Sequence, residues 1–286
     1  MSSHQSDSYP SSVASSEKSV LSFDGVPIHY QVQGSGTPTL FFVHGWSCHP
    51  SYWKAQVKHF APHYQVVTID LAGHGGSGLN RRDWTIPAFG QDVVAVADHL
   101  DLDEVVLVGH SMGGLVVLEA AGRMPERVLA LVGVDTLFDW WARLTPEERE
   151  QRLAPFRRDF VATTRKWVRQ TLCASTSDAN LVEKFVAELS AGPSEVGIAA
   201  MEGIYEWGRV DFPQALERLR KPVFMIQAEH NAPFLQVVES FAASFESFEV
   251  SLVPKVGHFV MMEAPETFNR LLAQAIDKIS QGLSGN

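Results

Sequence analysis

Residues 104–122, EVVLVGHSMGGLVVLEAAG, decide the fold of this chain. Residues 105–108 form a short, β-branched apolar run, which is typical of a strand buried on both faces of a sheet. A G-x-S-x-G motif at residues 109–113 surrounds Ser111, and a segment with helix-compatible spacing follows it. A serine between a buried strand and a helix predicts a nucleophile elbow, whereas the same motif without that context is only a glycine-rich turn.

Apolar segments alternate with amphipathic ones on both sides of this stretch. The turn at Asp24 and Gly25 predicts a hairpin between the first two strands. The predicted strands are residues 19–23, 26–33, 39–43, 65–69, 127–134, 223–227 and 248–253, and the predicted helices are residues 51–60, 85–100, 235–245 and 265–279. This alternation predicts an α/β fold with a doubly wound, mostly parallel sheet.

The strand pattern stops after Asp135 and returns near Val223, and the residues between carry charged helical runs. We therefore expect a core of residues 19–135 and 213–286 with an inserted helical cap at residues 136–212. Residues 1–18 are rich in serine and predict a disordered tail.

Composition excludes several classes of partner. The chain has 286 residues, 45% of them hydrophobic, and a net charge of −10, so it can bury a large core but suits neither nucleic acid nor an anionic membrane. We find no apolar run of bilayer length and no secretory signal. Cys48 and Cys173 provide no disulfide framework and no zinc spacing. We expect a cytoplasmic protein with a small-molecule substrate and no metal or cofactor, its oligomeric state left open.

A second glycine-rich stretch, residues 73–78, follows a predicted strand and raises the alternative of a phosphate-binding loop. No helix opens directly after it and no lysine is placed to meet a phosphate, so the stretch predicts a tight loop.

The order of motifs resembles the α/β-hydrolase superfamily, and most closely its single-domain esterases with a helical cap. The resemblance covers nearly the whole chain after residue 18. Its specific parts are the elbow and the late Gly-His-Phe at residues 257–259, and the supporting parts are His-Gly-Trp at residues 44–46 and D-x-x-G-H-G-x-S at residues 70–77.

Ser111 is then the expected nucleophile, and its hydroxyl needs a neighbouring base. His258 follows a predicted strand, which brings it to the carboxyl edge of the sheet, and it stands where the family has its catalytic histidine. The alternative for His258 is a surface-loop histidine. His110 should point away from the elbow, and His44 and His74 are expected to support loops.

The resemblance also implies an oxyanion hole, which needs two backbone N–H groups aimed at one point. Met112 supplies one because it follows the nucleophile, and Trp46 supplies the other from the loop after the third strand. The Trp46 side chain can serve at the same time as a packing aromatic.

The sequence does not decide which carboxylate partners the catalytic histidine. Asn231 stands where many relatives have an aspartate, and an amide cannot stabilise an imidazolium as a carboxylate does. Asp135, at the end of the strand after the elbow helix, is favoured over Glu229, and Asp139 is a third candidate that could instead cap a helix.

Aromatic side chains are frequent in the predicted cap, which fits either an apolar pocket roof or packing on the core. They are Phe138, Trp140, Trp141, Trp167, Tyr205 and Trp207. No cluster of basic residues for a charged substrate is apparent.

We therefore expect a serine hydrolase that cleaves a carboxylic ester of a small or apolar substrate through an acyl-enzyme. The alternatives are a C–C bond hydrolase, a lactonase, a cofactor-free oxygenase or a slow-turnover small-molecule receptor, because one fold hosts many chemistries. Serine at the elbow, in place of aspartate, argues against dehalogenase or epoxide hydrolase chemistry.

Overall fold

One sheet of eight strands organises the computed structural model, which describes residues 16–138 and 144–284. Its strand order is β1-β2-β4-β3-β5-β6-β7-β8. The strands are β1 Ser16–Leu21, β2 Pro27–Gln33, β3 Thr39–Val43, β4 Val66–Ile69, β5 Val105–His110, β6 Val128–Val134, β7 Val223–Ala228 and β8 Phe248–Val253.

Strand β2 pairs antiparallel with both β1 and β4, and every other neighbouring pair is parallel. The predicted α/β class with a mostly parallel sheet is confirmed. Strand β1 begins at Ser16, so residues 16–18, which the prediction assigned to the tail, pair with β2 instead. Residues 1–15, Asp139, Trp140 and Trp141 lie outside the described residues, and so do the predictions that fall on them.

The most apolar runs of the sequence form strands inside the sheet, where their side chains are buried. Every residue of β3, β5 and β7 is buried, because none of these strands is at an edge of the sheet and helices cover both faces. The helices are α1 Lys54–Phe60, α2 Ile86–His99, α3 Met112–Arg123, α4 Pro146–Arg158, α5 Phe160–Trp167, α6 Ala179–Leu189, α7 Ser194–Val210, α8 Phe212–Arg218, α9 Gln236–Ser240, α10 Val260–Glu263 and α11 Pro265–Ser284.

Helices α4 to α8 lie between β6 and β7, and the described residues of this segment, which we call the helical insertion, contain no strand. Helix α4 begins with a capping box, in which Thr145 and Glu148 each bond the other's backbone N–H. A π-helical turn, Val168–Leu172, follows α5. In the part of the chain that the structure describes, no helix is both long and apolar enough to cross a bilayer.

Candidate active site

The turn between β5 and α3 holds Ser111 in a backbone conformation that L-residues rarely adopt, with φ 54° and ψ −121°. A Cβ on Gly109 would lie 2.4 Å from the Gly113 carbonyl oxygen, and one on Gly113 would lie 2.5 Å from that of Val43. Both glycines are therefore needed for the chain to reverse this tightly. The hydroxyl of Thr136 donates to the Ser111 carbonyl oxygen at 2.5 Å, which ties the turn to the end of β6.

The loop after β3 lies against this turn. A Cβ on Gly45 would come within 3.0 Å of the Ser111 Cβ, so the backbone that leads into Trp46 passes beside the serine. Met112 is the first residue of α3, and a backbone N–H at that position has no acceptor within its own helix. The Trp46 indole donates to the Gly197 carbonyl oxygen at 2.7 Å, so its side chain contacts helix α7 of the insertion.

Asp135 follows β6 directly and is completely buried. Its Oδ2 accepts from His258 Nδ1 at 2.6 Å and from Asn231 Nδ2 at 2.8 Å, and its Oδ1 accepts from the Ala228 backbone N–H at 2.9 Å. A carboxylate only accepts, so Nδ1 of His258 carries the proton, and Nε2 of the neutral ring is left as an acceptor.

The structure distinguishes the two carboxylates, Asp135 and Glu229, between which the sequence left a choice. Glu229 is exposed at the start of a 3-10 helix, Glu229–Leu235, whereas Asp135 contacts His258. Asn231, at the position where the family resemblance led us to expect an aspartate, donates to the Asp135 carboxylate. The amide therefore helps to hold the Asp135 carboxylate in place.

Sequence reasoning missed Gln227, which fixes the backbone beside Asp135. Its Oε1 accepts from the Thr136 backbone N–H at 3.1 Å, and its Nε2 donates to the Thr136 carbonyl oxygen at 3.3 Å. The available signal was a glutamine inside an otherwise apolar buried strand, because such a polar group must find partners.

Three buried histidines hold the loops around the site. His110 Nε2 donates to the His258 carbonyl oxygen at 3.0 Å, and His44 Nε2 accepts from the Leu71 backbone N–H at 3.1 Å. His74 Nε2 accepts from the Ser47 backbone N–H at 3.2 Å. Burial, the largest cause for each, lowers the pKa of His44 and of His110 well below the usual range and that of His74 to about 4. These rings are neutral supports.

We expect His74 to make the protein less stable in acid. Its pKa falls from 6.5 in the unfolded chain to about 4 in the folded one, so the unfolded state binds the extra proton between these values. The free energy of unfolding then drops as the pH falls through this window, by up to about 1.4 kcal/mol per pH unit for one group. Urea unfolding of wild type and His74→Gln between pH 4.5 and 7.5 measures this. The variant should show the shallower pH dependence, and parallel curves would contradict the expectation.

The loop that carries His258 is hydrogen-bonded to the insertion. The His258 backbone N–H donates to the Leu172 carbonyl oxygen at 2.8 Å. Glu263 Oε2 accepts from the Gly257 backbone N–H at 3.0 Å and from the Ser177 hydroxyl at 2.5 Å. We call the Gly257–Glu263–Ser177 contact the loop clasp.

A cavity of about 710 Å³ joins these parts, and Ser111, Asp135, Asn231 and His258 all lie in its wall. Most of the remaining wall is apolar. These residues are Trp46, Met112, Leu115, Phe138, Pro155, Phe156, Trp167, Leu172, Met201, Ile204 and Phe234. Trp207 is not in the wall, and its ring packs against Phe212 instead, 5.9 Å away.

Arg152 and Lys166 also line the cavity, together with Gln151, Gln170 and Thr171. The sequence showed no basic cluster because the two cations lie on different helices, α4 and α5. Within residues 16–138 and 144–284, no group of three or more histidine, cysteine, aspartate or glutamate side chains could hold a metal ion.

Several known proteins are similar to this chain over most of its length. The 3-oxoadipate enol-lactonase 2 of Acinetobacter baylyi is 26% identical over 270 residues, which cover 92% of this chain and 98% of that protein. A pimeloyl-[acyl-carrier protein] methyl ester esterase of Xanthomonas campestris is 30% identical over 209 residues, covering 71% and 80%. The structure of a thermophilic esterase from Thermogutta terrifontis matches with a TM-score of 0.80 and 25% identity over 92% of this chain and 99% of that one.

The family model described as alpha/beta hydrolase fold matches residues 38–265, which include the elbow, the insertion and the His258 loop. The resemblance seen in the sequence is thereby confirmed. This chain belongs to the alpha/beta hydrolase fold family.

Proposed function

We propose that this protein is a serine hydrolase that cleaves carboxylic esters through an acyl-enzyme. The observation that carries the proposal is the 2.6 Å hydrogen bond between Asp135 and His258 in the wall of the cavity that contains Ser111. In this proposal Ser111 is the nucleophile, His258 the base and Asp135 the acid.

The proposed reaction uses these groups in sequence. Ser111 Oγ attacks the ester carbonyl carbon while His258 Nε2 takes the hydroxyl proton, and Asp135 stabilises the resulting imidazolium. The backbone N–H groups of Trp46 and Met112 bind the oxyanion, helped by the N-terminus of α3. The alkoxide then leaves with the proton from His258, and water, activated by the same base, hydrolyses the acyl-Ser111 ester. The chemistry uses no cofactor.

Lactone hydrolysis is the second candidate, because a relative covering nearly the whole chain is named an enol-lactonase. A lactone is a cyclic ester, so the same attack opens it, and the released hydroxyl remains part of the acyl group, which deacylation sets free as a hydroxy acid. The cavity of about 710 Å³ has room for either a linear or a cyclic small molecule.

We also propose that residues 136–212 act as a cap over Ser111. Support comes from the cavity wall, to which α4, α5 and α7 contribute Phe156, Trp167 and Met201. Because the wall is apolar at these positions, an apolar part of the substrate would bind against the insertion.

A panel of p-nitrophenyl esters and aliphatic lactones, assayed with wild type and Ser111→Ala side by side, tests the proposal. We expect wild type to turn over steadily at least one class, and Ser111→Ala to be inactive on both. If wild type hydrolyses no ester and no lactone faster than Ser111→Ala, the hydrolase proposal is wrong and a binding protein becomes the better account.

Glu263 should act on the reaction as a positioning residue, through the loop clasp. Glu263→Gln weakens the bond to Gly257, beside His258, so we expect kcat to fall about three- to tenfold while KM changes less than about twofold. Steady-state kinetics on one p-nitrophenyl ester measures this, with Glu266→Gln as the control because Glu266 is exposed on the neighbouring helix. A variant that only melts earlier and keeps its kcat would show that the clasp is purely structural.

A further inference from the structure

The charges on the cavity wall are unequal. Among the described residues that line it, the cations are Arg152 and Lys166, and the carboxylate is Asp135. Asp135 is completely buried and already accepts three hydrogen bonds, from His258, Asn231 and Ala228. The charge that a bound molecule can reach in this wall is therefore positive.

The positive charge in the cavity wall is opposite to the net charge of the whole chain, which is −10. Three cations of the insertion lie within ion-pair distance of glutamates, at 3.5, 2.5 and 2.7 Å. These pairs are Arg149–Glu206, Arg157–Glu202 and Arg169–Glu183. Lys166, by contrast, has no carboxylate partner among the described residues, so its charge is available to a ligand in the cavity.

The neighbouring polar groups suit an anion. Gln151 and Gln170 also line the cavity, and their amide N–H groups can donate to a carboxylate oxygen. The Arg152 charge already acts within this wall, where it lowers the pKa of Tyr205 against the larger, raising effect of burial. An arginine fork and an ammonium group together match the two oxygens of a carboxylate.

We infer that the cavity binds an ester or lactone that carries a carboxylate away from the cleaved bond, and that Arg152 and Lys166 hold this carboxylate. The inference rests on the proposed hydrolase function and names its substrate class, a monoester or lactone of a dicarboxylic acid. Arg152 and Lys166 are both exposed as well as lining the cavity, so salt can screen their contact with the carboxylate.

Two matched substrates test the inference: p-nitrophenyl hexanoate, which is neutral, and the mono-p-nitrophenyl ester of adipic acid, which has the same chain length and a terminal carboxylate. We expect wild type to have the higher kcat/KM on the adipate ester. Lys166→Gln and Arg152→Gln should each lower that preference about five- to tenfold, through KM rather than kcat, and added salt should lower it in wild type.

Arg158→Gln is the matched control, since Arg158 lies on the same helix as Arg152, is exposed and is not part of the cavity wall. It should leave the preference unchanged. Lys166→Glu should shift the preference toward the neutral ester by more than Lys166→Gln does.

If wild type hydrolyses both esters but the ratio of their kcat/KM values is the same in wild type, Lys166→Gln and Arg152→Gln, the carboxylate-binding role is wrong and the hydrolase function stands. If wild type hydrolyses neither ester faster than Ser111→Ala does, the proposed function itself fails and the inference falls with it.

Discussion

Ser111→Ala should reduce kcat on p-nitrophenyl esters by about 10⁴- to 10⁶-fold, because in the proposed mechanism the hydroxyl forms the covalent bond to the acyl group. The variant should fold normally, since the strained turn is held by hydrogen bonds to the backbone of Ser111. Thr136 and Gly114 both donate to the Ser111 carbonyl oxygen, at 2.5 and 2.9 Å, and neither contact uses the serine side chain. Ester kinetics together with circular dichroism measure both expectations.

Thr171→Ala is the matched control, because Thr171 carries a hydroxyl in the same cavity wall but lies on the insertion. It should keep kcat within about threefold of wild type, a scale far below that of a lost nucleophile. A fluorophosphonate probe should label wild type and Thr171→Ala and leave Ser111→Ala unlabelled. Near wild-type turnover by Ser111→Ala would end the proposal that this serine is the nucleophile.

Asp135→Asn should reduce kcat by roughly 10³- to 10⁴-fold, the scale seen when the acid of such a site is neutralised. The amide keeps the size of the side chain and can still accept from the Ala228 N–H. It loses the negative charge that, in the proposed mechanism, stabilises the His258 imidazolium, and it no longer fixes the proton on Nδ1. Steady-state kinetics at one pH, followed by a pH–rate profile, measures the loss.

Glu229→Gln provides the control, because Glu229 is the other carboxylate that the sequence offered and it is exposed. It should cost less than about tenfold in kcat. Asn231→Asp in the Asp135→Asn background should restore part of the activity, since Asn231 already reaches the Asp135 carboxylate at 2.8 Å. A crippled Glu229→Gln beside a nearly normal Asp135→Asn would assign the acid to Glu229 and leave the proposed roles of Ser111 and His258 intact.

The sequence was most informative where the pattern is local. The apolar run of β5, the glycines around Ser111 and the start of α3 predicted the elbow, because strand, turn and helix signals follow one another within about twenty residues. The order of further strands and helices then predicted a mostly parallel sheet. The first strand was misjudged by three residues, because Ser16 and its neighbours are polar and gain their strand conformation from pairing with β2.

What the sequence by itself determined is therefore the family, the elbow and a short choice of carboxylates. Only the tertiary structure brought Asp135 to His258. Strands β6 and β7 pair so that Val134 lies opposite Ile226, which puts Asp135 beside the Ala228 N–H and the Asn231 amide. Likewise, only the tertiary structure placed Arg152 and Lys166 in one cavity wall, because they lie on separate helices. Local patterns specify strands and helices, whereas the direction of a side chain at a sheet edge or in a cavity depends on partners distant in the chain.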